Sequence, residues 1–150
     1  GLRGMGTTLV SAVAWGEQAL LSNVGDSRAY VIRPGGGGIS RVTKDHSLVE
    51  RLVDKGAITA EEARSYPGRN LITRALGPDP EALSDSYRID LRPGDYLLLC
   101  TDGLVSTVTD QEMEREILRG DDNACLDRLL DIARDQGAPD NVTAVLLRQQ

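Results

Sequence analysis

Residues 97–104 read LLLCTDGL, and the interpretation of the whole sequence depends on this stretch. Three leucines and a cysteine in succession are typical of a strand that is buried on both faces. The run ends abruptly at Asp102, which is followed by Gly103. An Asp-Gly pair is common in turns, but a carboxylate held at the end of a buried strand is also suited to bind a metal ion. Features elsewhere in the sequence are needed to distinguish a turn residue from a metal ligand at Asp102.

The composition excludes several classes of function. Of the 150 residues, 40% are hydrophobic and none is Phe, so Leu, Val, Ile and Ala must fill the core. A net charge of −6 argues against binding to nucleic acid or to an anionic membrane surface. We find no apolar run of about 18 residues, the length that a membrane-spanning helix needs. Cys100 and Cys125 lack the spacing of a zinc site, so we predict buried, reduced thiols in a cytoplasmic protein.

Short apolar segments rich in β-branched residues predict most of the strands. Two of them are joined at Gly16 and Glu17, and the glycine-rich stretch 35–38 is predicted to form a hairpin tip. The predicted strands are TTLVSAVAW, QALLSNVG, AYVIR, ISRVT, NLITRAL, DSYRIDL, YLLLC and NVTAVLL. The turn RPGD leads directly into YLLLC.

Two helical regions interrupt these strands. In the first, SLVERLVDKG has apolar residues at helical spacing, with Ser47 as a possible cap and Gly56 as a stop, and TAEEARS follows. The second contains VTDQEMEREILRG and ACLDRLLDIARDQG. Thr59 with Glu62, and Thr109 with Glu112, have the spacing of a capping box. The predicted fold class is α+β, with mostly antiparallel sheets layered with helices.

Three aspartates lie at the ends of apolar strands. Asp26 follows LLSNVG, Asp102 follows YLLLCT, and Asp140 precedes NVTAVLL. If these strand ends meet at one edge of a sandwich, the carboxylates repel one another and a cation is needed to hold them together. Ligands that are all oxygen favour Mg²⁺ or Mn²⁺, and two such ions activate a water molecule for phosphoester hydrolysis. Each aspartate taken alone is more often a turn residue, so spacing leaves both interpretations open.

The amino-acid sequences of six segments are more specific evidence than the positions of the three aspartates. The segments GMGTTL, NVGDSRAY, DHSLVERLVDKGAIT, RNLITRALG, GDYLLLCTDGL and APDNVT occur in this order from one end of the chain to the other. Together they closely resemble the metal-dependent protein serine/threonine phosphatases (the PPM or type 2C family) in its bacterial branch. The resemblance implies a sandwich of two antiparallel β-sheets flanked by helices, with residues 1–150 forming one partial domain.

The resemblance also implies roles for the three aspartates. Asp102 and Asp140 would be ligands of a binuclear Mn²⁺ or Mg²⁺ centre and would act in catalysis through the water that the metals bind. Asp26, together with Asp102, would serve a third and weaker metal site. The implied reaction is direct attack of metal-bound hydroxide on phosphoserine or phosphothreonine of a protein. The implied partners are phosphorylated proteins, together with a bacterial serine/threonine kinase.

One departure from the family pattern affects the expected activity. In the family, a segment before GMGTT carries an arginine that grips the phosphate, an NED-type motif and a DG-x-GG-H-type motif whose residues bridge both metals. None of these motifs is found in the 150 residues. We therefore expect an N-terminally truncated member that is weakly active or inactive. We also expect it to self-associate through exposed sheet edges.

Several other residues have less specific interpretations. His46 is the only histidine, and we expect a structural or capping role for it. Arg28 is expected to form an ion pair rather than to bind phosphate. Arg69 and Arg74 flank a segment that is a variable flap in the family, where phosphopeptide selection is a weaker hypothesis.

Two alternative functions remain open. One is a non-catalytic regulatory or binding module that kept the phosphatase fold and lost the chemistry. The other is a relative that acts on a phosphorylated anti-sigma-factor antagonist. The segments RNLITRALG and NVGDSRAY resemble more closely the branch of phosphatases that reverses the action of protein kinases.

Overall fold

The computed structural model describes residues 4–78 and 81–150, which form two antiparallel sheets and five helices. The strands are β1 Leu9–Trp15, β2 Gln18–Val24, β3 Arg28–Arg33, β4 Gly38–Arg41, β5 Asp85–Asp90, β6 Tyr96–Cys100 and β7 Ala144–Arg148. The helices are α1 Leu48–Asp54, α2 Ala60–Ser65, α3 Asp102–Val105, α4 Asp110–Ile117 and α5 Cys125–Asp135. One sheet has the order β1-β2-β5 and the other β4-β3-β6-β7. The predicted α+β sandwich of antiparallel sheets is confirmed.

The core lies in two layers, one on each face of the four-stranded sheet. Between the sheets, Leu21 of β2 packs with Val31 of β3 and Leu97 of β6. On the opposite face, Tyr30 and Leu98 pack with residues of the helices, which are Leu104, Val108, Met113, Ile117, Leu129 and Ala133. Strand β6 is therefore covered on both faces, which explains why its sequence is a continuous apolar run rather than an alternating one.

The outer face of the three-stranded sheet is less well covered. Leu9, Val13, Trp15 and Leu20 are all more than 40% exposed, and Val13 lies directly opposite Leu20 in the β1–β2 register. In the part of the chain that the structure describes, β1 has a partner strand on one side only. An apolar face beside an unpaired strand edge is therefore accessible here.

The segment 70–76 corrects one prediction. NLITRAL was expected to form a strand, but the residues make only two isolated bridges, Ser47 with Ile72 and Thr7 with Leu76. Strand β5 occupies the position next to β2, and Leu71 and Ile72 remain 57% and 42% exposed. The segment therefore does not extend a sheet, and residues 48–76, which contain α1, α2 and this segment, are called the insertion.

Helices α1, α2, α4 and α5 and both cysteines agree with the sequence pattern, whereas the short helix α3, which begins at Asp102, was not predicted. Both predicted capping boxes are present, at Thr59 and Thr109. Cys100 and Cys125 are buried and free of disulfides. Among the described helices, none has both the length and the apolar character that a membrane crossing requires.

Candidate functional site

Strand pairing explains why the three aspartates lie at the same end of the four-stranded sheet. Arg28 of β3 pairs with Cys100 of β6 in an antiparallel register. Asp26, two residues before Arg28, and Asp102, two residues after Cys100, therefore lie at one end of the sheet. Cys100 also pairs with Ala144 of β7, so the loop that enters β7 brings Asp140 to the same end.

The loops of Asp102 and Asp140 are joined by backbone contacts. Thr101 precedes α3, and its side chain bonds to the other loop and not to the helix. Its hydroxyl donates to the carbonyl oxygen of Asn141 at 3.3 Å, and the backbone N–H of Thr143 donates to that hydroxyl at 3.0 Å. A Cβ atom on Gly103 would overlap the carbonyl oxygen of Asn141. The close approach alone requires glycine at position 103, since the backbone of Gly103 is not left-handed. The contact brings the two loops together.

Burial and mutual repulsion act on two of the carboxyl groups. Burial, followed by the charge of Asp102, raises the pKa of Asp26 to about 6. Burial, followed by the charge of Asp140, raises the pKa of Asp102. Each of these groups is therefore more costly to ionise than an isolated aspartate, and a nearby cation relieves that cost. The donor atoms are all carboxylate oxygens, which suit Mg²⁺ or Mn²⁺.

The carboxylates influence one another pairwise rather than as one compact set. Within residues 4–78 and 81–150, no group of three or more His, Cys, Asp or Glu side chains lies close enough together to hold a metal ion. Asp140 is exposed, and its own carboxylate accepts the backbone N–H of Asn141 at 2.7 Å. The donor type fits a hard divalent cation, whereas the described residues supply only part of a ligand set. The assignment of Asp26, Asp102 and Asp140 as ligands therefore stays a prediction.

A cavity of about 580 Å³ lies beside this end of the sheet. Asp26 and Asp102 line one side of it, and Arg64 of α2 with Arg69 and Asn70 lines the side of the insertion. Its other lining residues include Arg28, Asp45, Ser106, Thr107, Thr109 and Asp110. The two aspartates thus face a space that is bordered by guanidinium, hydroxyl and further carboxylate groups.

Arg28 forms the ion pair that the sequence predicts. Its Nε and Nη2 atoms donate to the carboxylate of Asp45 at 2.7 to 3.1 Å, and its Nη1 donates to the hydroxyl of Tyr30 at 3.2 Å. The Asp45 side chain is only 7% exposed. With its donors used in this way, Arg28 supports the wall of the cavity. The sequence did not reveal Asp45 as the partner, because 17 residues separate the two.

The structure separates the two flap arginines. Arg69 lines the cavity and donates to the carbonyl oxygen of Arg64 at 2.6 Å. Arg74 instead donates to the carboxylate of Asp85 at 2.8 Å and is not among the residues that line the cavity. Of these two arginines, only Arg69 is therefore placed to contact a molecule that occupies the cavity.

Comparison with known proteins shows the relationship of the chain. Residues 4–150 match the family model described as Stage II sporulation protein E (SpoIIE). The serine/threonine phosphatase stp of Listeria monocytogenes is 38% identical over 99% of this chain and 58% of its own length. The serine/threonine protein phosphatase PstP of Mycobacterium tuberculosis is 41% identical over 97% of this chain and 28% of its own.

The chain belongs to the bacterial branch of the metal-dependent protein phosphatase (PPM) family. Among solved structures, the M. tuberculosis phosphatase PstP/Ppp matches with a TM-score of 0.93 at 40% identity. The match spans 99% of this PPM chain and 62% of the PstP/Ppp chain. Stp1 of Staphylococcus aureus has a TM-score of 0.92 at 42% identity, with coverage of 98% and 57%. A further structure is the catalytic domain of PstP in complex with two manganese ions, with a TM-score of 0.85 at 39% identity, covering 97% of this chain and 59% of its own. This PPM chain spans 58% or less of the length of the two curated relatives named above.

Proposed function

We propose that this chain acts in the hydrolysis of phosphoserine and phosphothreonine on proteins, as a metal-dependent phosphatase. The observation that carries the proposal is the convergence of Asp26, Asp102 and the loop of Asp140 at one sheet end beside a cavity. The names of the relatives, which are serine/threonine phosphatases, support it. The proposal treats residues 1–150 as part of one phosphatase-like domain.

Asp102 and Asp140 would hold the shared metal centre, and Asp26 with Asp102 would hold a weaker site. Mn²⁺ or Mg²⁺ would supply an activated water molecule for attack on phosphorus. The protein's own contribution is to keep Asp26 and Asp102 partly buried and near each other, so that binding of a cation relieves their repulsion. The PstP catalytic domain, which was solved with two manganese ions, supports this choice of metal.

The cavity would receive the phosphorylated side chain of the substrate. Arg64 and Arg69 border it from the insertion, where their positive charge favours a phosphate-bearing segment. The substrates would be phosphoproteins made by a bacterial serine/threonine kinase, and the kinase itself would be among them. Two free, buried cysteines agree with a cytoplasmic location.

We further propose that two copies associate through the unpaired edge of β1. This edge carries Leu9, Val13 and Trp15, all exposed. Antiparallel addition of a second β1 would satisfy the free backbone groups of the edge and place the exposed apolar side chains of the two copies next to each other on one face. The second copy is the occupant to which this proposal commits.

The second candidate function is a binding module without catalysis. The observation that favours it is that the described residues hold no group of three metal-ligating side chains. In this case the cavity and its arginines would bind a phosphorylated segment without cleaving it. Phosphopeptide binding in the absence of turnover distinguishes this module from the enzyme.

The decisive experiment measures Mn²⁺-dependent hydrolysis of a phosphothreonine peptide by the 150-residue chain. Asp102→Asn tests the site, and Asp90→Asn is the matched control, because Asp90 is exposed at the far end of β5. Turnover that needs Mn²⁺ and disappears only in Asp102→Asn supports the phosphatase. Peptide binding without turnover supports the module, and neither binding nor turnover contradicts both proposals.

A further inference from the structure

The turn that carries Asp26 is held from two directions by His46. The backbone N–H of Gly25 donates to Nδ1 of the imidazole at 3.0 Å. The backbone N–H of His46 in turn donates to the carbonyl oxygen of Gly25 at 2.9 Å. Asp26 is the next residue in the chain, so these bonds fix the backbone from which its carboxylate extends.

The environment of the imidazole defines its tautomer. Because Nδ1 accepts a hydrogen bond from Gly25, it carries no hydrogen, and the ring proton lies on Nε2. Nε2 donates to the carboxylate of Asp85 at 3.0 Å. Nη1 of Arg74 also lies 3.1 Å from Nε2, but both groups are donors, so this contact adds no hydrogen bond to the ring. Asp85 also accepts from Arg74 at 2.8 Å, and Arg74 donates to the carbonyl oxygen of Leu83 at 2.9 Å. Asp85 therefore fixes both the tautomer and the rotation of the ring.

The same residue connects the turn to the insertion. The backbone N–H of Thr73 donates to the carbonyl oxygen of His46 at 2.8 Å, and Ser47 forms a bridge with Ile72. The His46 side chain is 7% exposed, whereas that of Asp85 is 43% exposed. A continuous set of hydrogen bonds thus runs from the surface through the imidazole to the buried turn.

We propose that His46 is a positioning residue for Asp26, oriented by Asp85 and acting through Gly25. This inference rests on the proposed function, because the place of Asp26 affects the chemistry only if its carboxylate binds the metal. It gives the single histidine a role that capping does not provide, since Ser47 is the residue that caps α1. Groups outside the ligand set commonly hold metal ligands in position through hydrogen bonds.

Two near-isosteric variants separate the two ring nitrogens. Asparagine places its amide near the position of Nδ1, so His46→Asn keeps an acceptor for Gly25 and loses the bond to Asp85. Glutamine places its amide near Nε2, so His46→Gln keeps the bond to Asp85 and loses the acceptor for Gly25. Asp85→Ala removes the orienting carboxylate from the surface, and Asp90→Ala is its control on the same strand.

The readouts are amide hydrogen exchange at Gly25 and Asp26 by NMR, and the dissociation constant for Mn²⁺ alone. In His46→Gln we expect exchange at Gly25 to rise about fivefold or more, the size of effect expected for one lost hydrogen bond, together with weaker Mn²⁺ binding. His46→Asn should keep most of the protection, Asp85→Ala should lose part of it, and Asp90→Ala should match the wild type. In an Asp26→Asn background, His46→Gln should have no further effect on Mn²⁺ affinity.

Equal Gly25 protection in His46→Gln and His46→Asn overturns the inference. Loss of protection that merely follows a fall in global stability, as measured by urea unfolding, also overturns it. Asp85 lies near the surface, so Asp85→Ala keeps the test valid if the His46 variants do not fold. If the wild-type chain binds no Mn²⁺, the proposed function fails, while the exchange at Gly25 still decides the inference.

Discussion

Close contacts at two glycines fix the backbone positions of residues at the candidate site. Gly25 has a φ of +108°, and a Cβ atom there would overlap the side chain of Thr8. The side-chain oxygens of Thr8, which precedes β1, and of Ser27, which lies in the turn, are 2.9 Å apart and share a hydrogen bond. Gly103 makes the corresponding close approach to Asn141. These contacts determine where the backbones of Asp26 and Asp102 lie.

Gly103→Ala should destabilise the fold by about 2 to 3 kcal/mol, because the new methyl group must displace the carbonyl oxygen of Asn141. The control is Gly94→Ala, where φ is +91° and nothing lies within 4 Å of the added Cβ. Backbone strain alone should cost that variant about 1 kcal/mol. Urea unfolding at neutral pH measures both, and equal losses would show that the Gly103 contact is relaxed at little cost.

Asp85 gives a prediction about pH. The hydrogen bond from His46, followed by that from Arg74, lowers the pKa of this carboxyl group. Its stabilising effect is therefore complete above the ordinary aspartate pKa of about 3.9 and is lost as the pH falls through the lower folded value. Because the side chain is 43% exposed, we expect Asp85→Asn to cost only about 0.5 kcal/mol at pH 7. The difference from wild type should vanish near pH 2.

Urea titrations at pH 7, at pH 4 and below pH 3 measure this difference in the free energy of unfolding. Asp90→Asn, which removes the same charge from the other end of β5, is the control. A gap between wild type and Asp85→Asn that is constant from pH 7 to pH 2 would contradict the assignment.

Among the secondary structure elements, two helices carry the same capping motif in different surroundings. In α4, the Thr109 hydroxyl accepts the N–H of Glu112 at 3.3 Å, and Glu112 accepts the N–H of Thr109 at 2.8 Å. The helix buries Met113 and Ile117. In α2, Thr59 and Glu62 make the same reciprocal bonds, but the helix has no buried residue.

Thr109→Ala should lower the free energy of global unfolding by about 1 kcal/mol, because the cap and the core residues belong to one packed helix. Thr59→Ala removes an equivalent cap, yet we expect little change in global unfolding and faster amide exchange confined to residues 60–65. Urea unfolding combined with residue-resolved hydrogen exchange tests both. Equal global losses would show that α2 unfolds together with the core.

The elements that the sequence predicts well are those specified locally. The capping boxes at Thr59 and Thr109 and the buried run of β6 depend on neighbouring residues, and all are present. NLITRAL has the composition of a strand, but whether it joins a sheet depends on which segment pairs with β2, and β5 does so. Composition does not record that competition.

The same distinction applies to the site. The positions of the aspartates at strand ends could be read from the sequence, since each follows or precedes an apolar run. The pairing of His46 with Asp85, 39 residues away, could not be read, because it depends on how β5 and the insertion are placed. The sequence predicted that Arg28 forms an ion pair, but it did not predict that the partner is Asp45.

For the whole molecule, the exposed apolar face of β1 leads to a prediction about association. Val13 is 66% exposed beside Leu9, Trp15 and Leu20. Val13→Lys should therefore weaken the proposed self-association, because a charge at this position must be desolvated in a β1–β1 contact. Val145→Lys is the matched control, since Val145 is 57% exposed on β7 of the other sheet. Sedimentation equilibrium over a concentration series measures the effect, and a wild-type chain that stays monomeric throughout would contradict the proposed contact.

The two buried cysteines have a consequence for chemical reactivity. Burial raises the pKa of Cys100 to about 12 and also raises that of Cys125, so the reactive thiolate is scarce at neutral pH. Alkylating reagents should therefore label the folded chain only when β6 or α5 opens. The rates at which the two thiols gain mass would report the opening of a strand and of a helix separately, without any added probe. The same labelling would distinguish folded from unfolded copies in a crude cell extract.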